Sequence, residues 1–279
     1  MIEPIVRRCA GLDVHKRVVV ATVLIEPSDG SWYQEMREFG TFRQERQALC
    51  GWLQQHRIEL TVMESTGNYW KSIYGALEAA ALCAYGVNAR HVKEVPGRKS
   101  DITDSQWLAS LGRCGLLRPS FVAPVDLQQL RLLSRHRLKL KGVLAAEKNR
   151  LHKVLNDAGI RLGGVVSDIH GASAQAMIEG LIAGQPLTVL VGYARGRMKA
   201  QCPELRQALD EPLSERHRLL LDELHRHIRF LEQHLHRLEQ QLLAGVAPYQ
   251  RQWQLLQTIP GIDGIIAVPI RIIYRIRHA

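Results

Sequence analysis

The chain has 279 residues, enough for one large domain or two of ordinary size, and its hydrophobic content of 46% is that of a folded globular protein. A net charge of +10 favours a polyanionic partner such as nucleic acid. The sequence has no run of 18 apolar residues and no apolar leader, so we expect neither a membrane span nor a signal peptide. Its five cysteines are far apart and form no CxxC pair, which argues against a zinc site or a disulfide framework and favours the cytoplasm.

The first third of the chain alternates β-branched runs with amphipathic segments. Residues 18–25 read Val-Val-Val-Ala-Thr-Val-Leu-Ile, which is typical of a strand that is buried on both faces. In chain order we predict two strands within 8–25, a strand at 31–39, a helix at 40–56, a strand at 59–64, a helix at 68–81, a strand at 82–87 and a helix at 101–112. This order predicts a mixed sheet with helices packed against it.

Four carboxylates occupy special positions in this pattern. Asp13 lies near the end of the first strand, and Glu64 ends the strand at 59–64. Asp101 and Asp104 are three residues apart where the next helix is predicted to begin, so they are expected to share one helix face. Open α/β sheets place their sites at the carboxyl ends of strands, and the four acids are therefore expected to converge there.

Such a cluster suits a divalent metal ion. Mg²⁺ prefers hard oxygen ligands, and two ions about 3.5–4 Å apart can activate a nucleophile and stabilise a leaving oxygen in phosphodiester chemistry. We assign Asp13 as the bridging ligand because the first strand is expected to be central, with Glu64, Asp101 and Asp104 completing the site. Mg²⁺ or Mn²⁺ is the expected cofactor. Lys16, Arg98 and Lys99 flank the acids and are candidate phosphate contacts.

A long helix predicted over 127–156 concentrates the positive charge. Between residues 131 and 153 it has eight basic residues and one acidic residue, with leucines interleaved so that one face can pack while another meets phosphates. The basic residues are candidate nucleic-acid contacts: Arg131, Arg135, Arg137, Lys139, Lys141, Lys148, Arg150 and Lys153.

The remaining sequence predicts short helices and loops at 160–212 and a second long helix at 213–243. Leucine and isoleucine in this helix recur at spacings of three and four from Leu221 to Leu242, which is a heptad seam of about three repeats. The seam predicts a coiled coil or a helical hairpin, and through it a homo-oligomer.

With these residues identified, the chain resembles the DEDD transposases of bacterial insertion sequences, the IS-one-ten family. The matching stretches run in order along the chain: residues 11–16, 64–70, 97–108, 115–118 with 120–121, 149–151 with 155, and 258–262. The resemblance implies a RuvC-like, RNase H-type domain whose acidic tetrad falls on Asp13, Glu64, Asp101 and Asp104. It further implies DNA transposition at the ends of a mobile element and a target, guided by a structured RNA.

The predicted elements and the resemblance together imply the domain organisation, the resemblance supplying the RuvC-like domain, the coiled-coil region and the C-terminal transposase domain. The expected parts are a RuvC-like catalytic domain at 1–125, a basic helix at 126–160, connecting helices and loops at 161–212, a coiled-coil helix at 213–245, and the start of a C-terminal transposase domain at 246–279. The family's second catalytic group is a serine in that last domain. No serine follows Ser214 in this sequence, so we expect a truncated chain without that group.

Three classes of function follow from these observations. The first is a Mg²⁺-dependent transposase that binds DNA and RNA. The second is a non-catalytic, nucleic-acid-binding remnant of such a transposase, which differs in having no activity that depends on Asp13. The third is an actin-like ATPase or sugar kinase, which would require a second glycine-rich phosphate loop, and residues 130–260 contain no convincing one.

Overall fold

The computed structural model of the chain describes residues 4–26, 31–96 and 102–265. The chain divides into two units, Met1–Val125 and Asp126–Ala279, and each is described by itself below. Of the residues discussed above, Arg98, Lys99 and Asp101 lie outside the described ranges.

The first unit is built on a mixed sheet. Its strands in chain order are β1 (Arg8–Val14), β2 (Val18–Ile25), β3 (Tyr33–Gly40), β4 (Leu60–Glu64) and β5 (Ala84–Val87). They lie in the order β3-β2-β1-β4-β5, with β2 antiparallel to β1 and β3, and β4 parallel to β1 and β5. The strand that carries Asp13 is therefore central, as predicted.

Helices cover both faces of this sheet. They are α1 (Arg43–Gln55), α2 (Trp70–Ala79), α3 (Ala89–Glu94) and α4 (Asp104–Arg113). Side chains alternate between the faces with the period of two that a strand imposes. Ala10 and Leu12 of β1 belong to the core that contains the buried residues of α1 and α2, whereas Cys9 belongs to the core that contains the buried residues of α3 and α4.

Two long antiparallel helices dominate the second unit. Its helices are α5 (Val125–Asp157), α6 (Leu162–Val165), α7 (Ala172–Ile182), α8 (Leu187–Gly192), α9 (Cys202–Leu209), α10 (Glu215–Gly245) and α11 (Gln250–Gln257). The end of α5 lies against the start of α10, where the His217 Nε2 and Asp157 Oδ2 atoms are 3.0 Å apart. The start of α5 meets the segment after α10, where the Tyr249 hydroxyl donates to Asp126.

The segment between these two helices, predicted only as a connecting region, takes part in a core of its own. Residues of α6 to α9, among them Leu162, Met177 and Leu205, are buried with Leu155 of α5 and Leu221 of α10. The short helices therefore form a packed cap at one end of the α5–α10 pair. Small and apolar residues allow the close packing that the irregular sequence pattern did not reveal.

The predicted fold class is confirmed: a mixed sheet with flanking helices is followed by a mostly helical region. One helix start was predicted wrongly, and one short helix was missed. Helix α4 begins at Asp104 and not at residue 101, because Thr103 caps it by accepting a hydrogen bond from the Gln106 backbone N–H. Helix α3 was not predicted, since its six residues are too few to show a helical period. Among the described residues, no helix is long and apolar enough to cross a membrane.

Candidate active site

The central strands bring the first two acids side by side. Strands β1 and β4 run parallel, and Leu12 pairs with Met63 in their register. The next residues along the two strands are Asp13 and Glu64, so their carboxylates extend from neighbouring strands at the same edge of the sheet. This is the convergence that the sequence predicted for them.

Helix α4 brings the third acid to the same place. The helix lies against β1 at Gly11, where an added Cβ atom would clash with the Ser105 carbonyl oxygen and come within 2.5 Å of the Ala109 nitrogen. Asp13 lies two residues after Gly11 and therefore faces α4 as well. Asp104 is the first residue of this helix, so the close approach at Gly11 places its carboxylate beside the strand acids.

The three described acids line one cavity of about 690 Å³. Asp13 and Glu64 are partly buried, whereas Asp104 is exposed. Lys16, predicted to contact phosphate, lines the same cavity, together with His15, Thr66 and Tyr69. Of the predicted site residues near the acids, Asp101, Arg98 and Lys99 lie outside the described residues.

The surroundings of Asp13 oppose its ionisation. Partial burial raises the pKa of the Asp13 carboxyl above its usual range, and the negative charges of Asp104 and Glu64 raise it further. His15 acts in the opposite direction, because its Nε2 atom lies 3.0 Å from Asp13 Oδ2. A cation bound among these carboxylates would offset the part of this effect that comes from Asp104 and Glu64.

Two side chains that the sequence did not single out hold the acids in place. His15 hydrogen-bonds to Asp13, and the Thr66 hydroxyl donates to Glu64 Oε1. Each follows its acid by two residues, a spacing that lets a turn residue fold back on the acid that ends a strand. That local spacing is the only sequence signal that identifies them.

The acid cluster has the donor chemistry of a hard divalent cation. Asp13, Glu64 and Asp104 offer only carboxylate oxygens, as Mg²⁺ and Mn²⁺ prefer. Within residues 4–26, 31–96 and 102–265, no three His, Cys, Asp or Glu side chains are placed as a ready metal cluster. The side chains therefore fit the ion by chemical type and line one cavity, but they are not arranged as a formed metal site, and Asp13 and Glu64 are engaged by His15 and Thr66.

The basic residues of α5 fall into two groups. Arg137 and Lys148 pair with acids of α10: Arg137 Nε is 2.8 Å from Glu239 Oε1, and Lys148 Nζ is 2.7 Å from Glu232 Oε1. Both are only partly exposed, as is Arg131. The exposed members are Arg135, Lys139, Lys141, Arg150 and Lys153, of which Arg150 also pairs with Glu147 of the same helix. Four of these form the basic stripe, which covers about a sixth of the helix circumference: Arg135, Lys139, Arg150 and Lys153.

Comparison with known proteins identifies the family. A family model described as a transposase, DEDD_Tnp_IS110, matches residues 10–160, which is more than half of the chain. The chain belongs to this transposase family. The match spans the three described acids and α5 of the transposase, and it ends before α10.

Solved structures with similarity to the transposase include two of RuvC from Thermus thermophilus. One is RuvC in complex with a Holliday junction substrate, with 15% sequence identity over 40% of this chain and 99% of that chain and a TM-score of 0.30. The other is RuvC alone, with 16% identity, the same coverage and the same TM-score. A search of curated proteins finds no match.

Proposed function

We propose that this transposase cuts and joins DNA strands at a divalent-metal site formed by Asp13, Glu64, Asp104 and Asp101. The observation that carries the proposal is that three of these acids, distant in sequence, line one cavity at the carboxyl ends of the central strands. The transposase family supplies DNA as the substrate class. Asp101 is included from the sequence pattern.

The residues of the site fall into groups with different tasks in this proposal. Asp13, Glu64 and Asp104 hold the cation, which when bound supplies charge stabilisation at the reacting phosphate. His15 and Thr66 orient the Asp13 and Glu64 carboxylates through the hydrogen bonds described above.

Lys16, exposed at the same cavity, contacts the phosphate backbone and offsets part of its charge. The proposal gives Arg98 and Lys99 the same task, on the basis of their positions in the sequence.

The basic stripe of α5 provides a second, non-catalytic contact with nucleic acid. Its four side chains are exposed and share one side of the helix, so they can follow a phosphate backbone. The family resemblance supplies a structured guide RNA as one such partner, beside the DNA of the element ends and target. Self-association through the α10 region is the further partnership that the sequence predicted.

The catalytic proposal is tested by metal-dependent cleavage and joining of labelled DNA. We expect Asp13→Asn, Glu64→Gln and Asp104→Asn each to lower the rate by at least about a hundredfold, since electrostatic stabilisation is usually a dominant contribution. The matched control is Glu38→Gln, which removes an exposed carboxylate of β3 outside the cavity. Activity that survives in Asp13→Asn would show that these acids are not the catalytic site.

The guide-RNA proposal is tested by sequencing the nucleic acid that co-purifies with the chain. We expect one enriched structured RNA that is kept in Asp13→Asn and lost when the basic stripe is reversed in charge. Only non-specific RNA would refute guidance. Nucleic-acid binding without any metal-dependent cleavage would instead favour the non-catalytic alternative, for which the exposed basic stripe is the supporting observation.

A further inference from the structure

The cavity that contains the acids has a second, apolar side. Val92 of α3 and Leu108 of α4 line it and are buried members of the hydrophobic core on that face of the sheet. Val95 and Trp107 also line it and pack against the same core while remaining partly exposed. Because this side is anchored in the core, it is a fixed surface and does not depend on a ligand to form.

The apolar side and the acidic side meet on one helix. Asp104, Trp107 and Leu108 are spaced at i, i+3 and i+4 on α4, so they lie on the same face of that helix. A group bound against Trp107 therefore lies next to the phosphate that the acids would hold. A metal ion and a phosphate are both fully polar and gain nothing from such a surface, so the apolar side fits a different part of the ligand.

The rim of the cavity adds an aromatic ring and a positive charge. Tyr69 is 50% exposed although it lines the cavity, and Lys93 of α3 is also exposed there. Exposed aromatic rings stack on nucleobases, and a lysine suits the phosphates on either side of a base. The volume of about 690 Å³ lies within the range of small-ligand sites, which is enough for a nucleotide.

We propose that this cavity holds one unpaired base of a DNA strand, packed against Trp107 and Tyr69, while the adjacent phosphate lies at the acids. This inference rests on the proposed function, because it takes the DNA strand from it. In duplex DNA the bases are stacked and paired, so a base can enter only where the strand is locally open or where it is flipped out. The transposase is therefore selective for DNA with an unpaired nucleotide beside the reacting phosphate.

The test uses the full chain with Ca²⁺ in place of Mg²⁺, so that a cation at the acids lets the phosphate bind while cleavage is suppressed. The DNA is a duplex with a three-nucleotide gap in one strand, and the unpaired nucleotides opposite the gap include 2-aminopurine. The comparison DNAs are the intact duplex and the same gapped duplex with an abasic nucleotide in place of 2-aminopurine. We expect Tyr69→Ala and Trp107→Ala each to weaken gap binding about tenfold and to reduce the quenching of 2-aminopurine. Binding of the intact duplex and of the abasic gap should change less than twofold.

Two variants guard against a merely structural effect. Trp107→Phe keeps an aromatic face and should retain most of the gap binding, even if Trp107→Ala is too unstable to purify. Phe42→Ala removes an aromatic ring that is 82% exposed outside the cavity, and it should have no effect. Equal losses on duplex and gapped DNA, or normal gap binding by Tyr69→Ala, would overturn the proposal. If the protein bound the gapped duplex more tightly when the unpaired strand is RNA than when it is DNA, with the same dependence on Tyr69, the assignment to DNA would be overturned.

Failure of this inference can be separated from failure of the proposed function. Metal-dependent cleavage that is abolished by Asp13→Asn, together with unchanged 2-aminopurine signals in Tyr69→Ala, would leave the acid site standing and remove the base site. Quenching that depends on Tyr69 and Trp107, in a chain without cleavage activity, would support the base site and remove the catalytic proposal.

Discussion

Ionisation of Asp13 is electrostatically unfavourable in the candidate active site. Asp13 is partly buried, and two further acids lie near enough to raise its pKa, while His15 is the described residue that counteracts them. A carboxylate in such surroundings lowers the stability of the fold while it is ionised. The cation of the proposed metal site would offset this cost when bound.

The first prediction concerns this cost. In EDTA at neutral pH, Asp13→Asn should raise the Tm by about 2 °C, because it removes a charge that burial and neighbouring acids disfavour. The folded pKa is raised, so the folded state binds more protons than the unfolded state between the two pKa values. The cost is therefore present above the folded pKa and disappears as the pH falls through it. Thermal melts from pH 7 to pH 3 should show the gain of Asp13→Asn declining, with Glu38→Gln unchanged throughout. A gain that grows as the pH falls would contradict the account.

The second prediction concerns Gly11, the residue that lets α4 approach β1. A Cβ atom at this position would clash with the backbone of Ser105 and Ala109, and backbone atoms of a packed helix cannot move aside locally. We expect Gly11→Ala to lower the free energy of unfolding by about 3 kcal/mol and to weaken Mn²⁺ binding, because Asp104 shifts with α4.

The control for Gly11 is Gly51→Ala in α1. Apart from the backbone of its own helix turn, no described residue has an atom within 4 Å of a Cβ added there, and alanine is the better helix former, so stability should be unchanged or rise by up to about 1 kcal/mol. Urea melts and calorimetric titration with Mn²⁺ measure both effects. Equal stability of the two variants would show that the approach at Gly11 does not position α4.

At the scale of elements, α10 uses its apolar seam within its own chain. Leu221, Ile228, Leu235 and Leu242 are all buried, so the heptad pattern is satisfied without a second copy. Ion pairs from α5 to Glu232 and Glu239 flank this packing. A homo-oligomer formed through α10 must therefore use the opposite face of the helix.

The third prediction follows from that exposed face. Leu219 and Phe230 are 64% and 53% exposed, and they lie within about a tenth of a turn of each other around α10. Phe230→Ser should shift a self-associating chain towards the monomer, as measured by light scattering, without a large change in Tm. Leu235→Ala, in the buried seam, should instead lower stability by about 3 kcal/mol. A change of oligomeric state in Leu235→Ala at temperatures where the fold is intact would show that the seam is shared between copies.

At the scale of the whole molecule, the net charge of +10 favours nucleic-acid binding, and the positions of the basic side chains decide where it can occur. The structure divides that charge unevenly, because Arg137 and Lys148 are committed to acids of α10 while the basic stripe remains exposed, with Arg150 of the stripe also paired to Glu147. Exposed cations release counterions from DNA when they bind, and paired ones do so far less.

The fourth prediction uses the salt dependence of binding. Replacing Arg135, Lys139, Arg150 and Lys153 together by Gln should reduce the slope of log K against log salt by roughly 0.9 for each phosphate that the variant no longer neutralises. Arg137→Gln should leave the slope nearly unchanged and lower the stability, because it breaks the pair with Glu239. Equal slopes for the wild type and the quadruple variant would remove the basic stripe from the nucleic-acid surface.

The sequence predicted those parts whose signal is local. Buried strands are β-branched and continuous, as in β2, and long helices show their period over many residues, as in α5 and α10. Other parts depend on partners distant in sequence. Helix α3 is too short to show a period, and the packed cap of residues 160–212 depends on contacts with α5 and α10 that no local pattern reveals.

For the candidate site, the sequence by itself selected the candidate cation ligands, because carboxylates at strand ends and at a helix start are recognisable from chain order. Only the tertiary structure decided how they meet. The parallel register of β1 and β4 sets Asp13 beside Glu64, and the absence of a side chain at Gly11 lets α4 bring Asp104 to them. The structure also decided that the seam of α10 is buried in its own chain, since a heptad repeat specifies an apolar partner and not which chain supplies it.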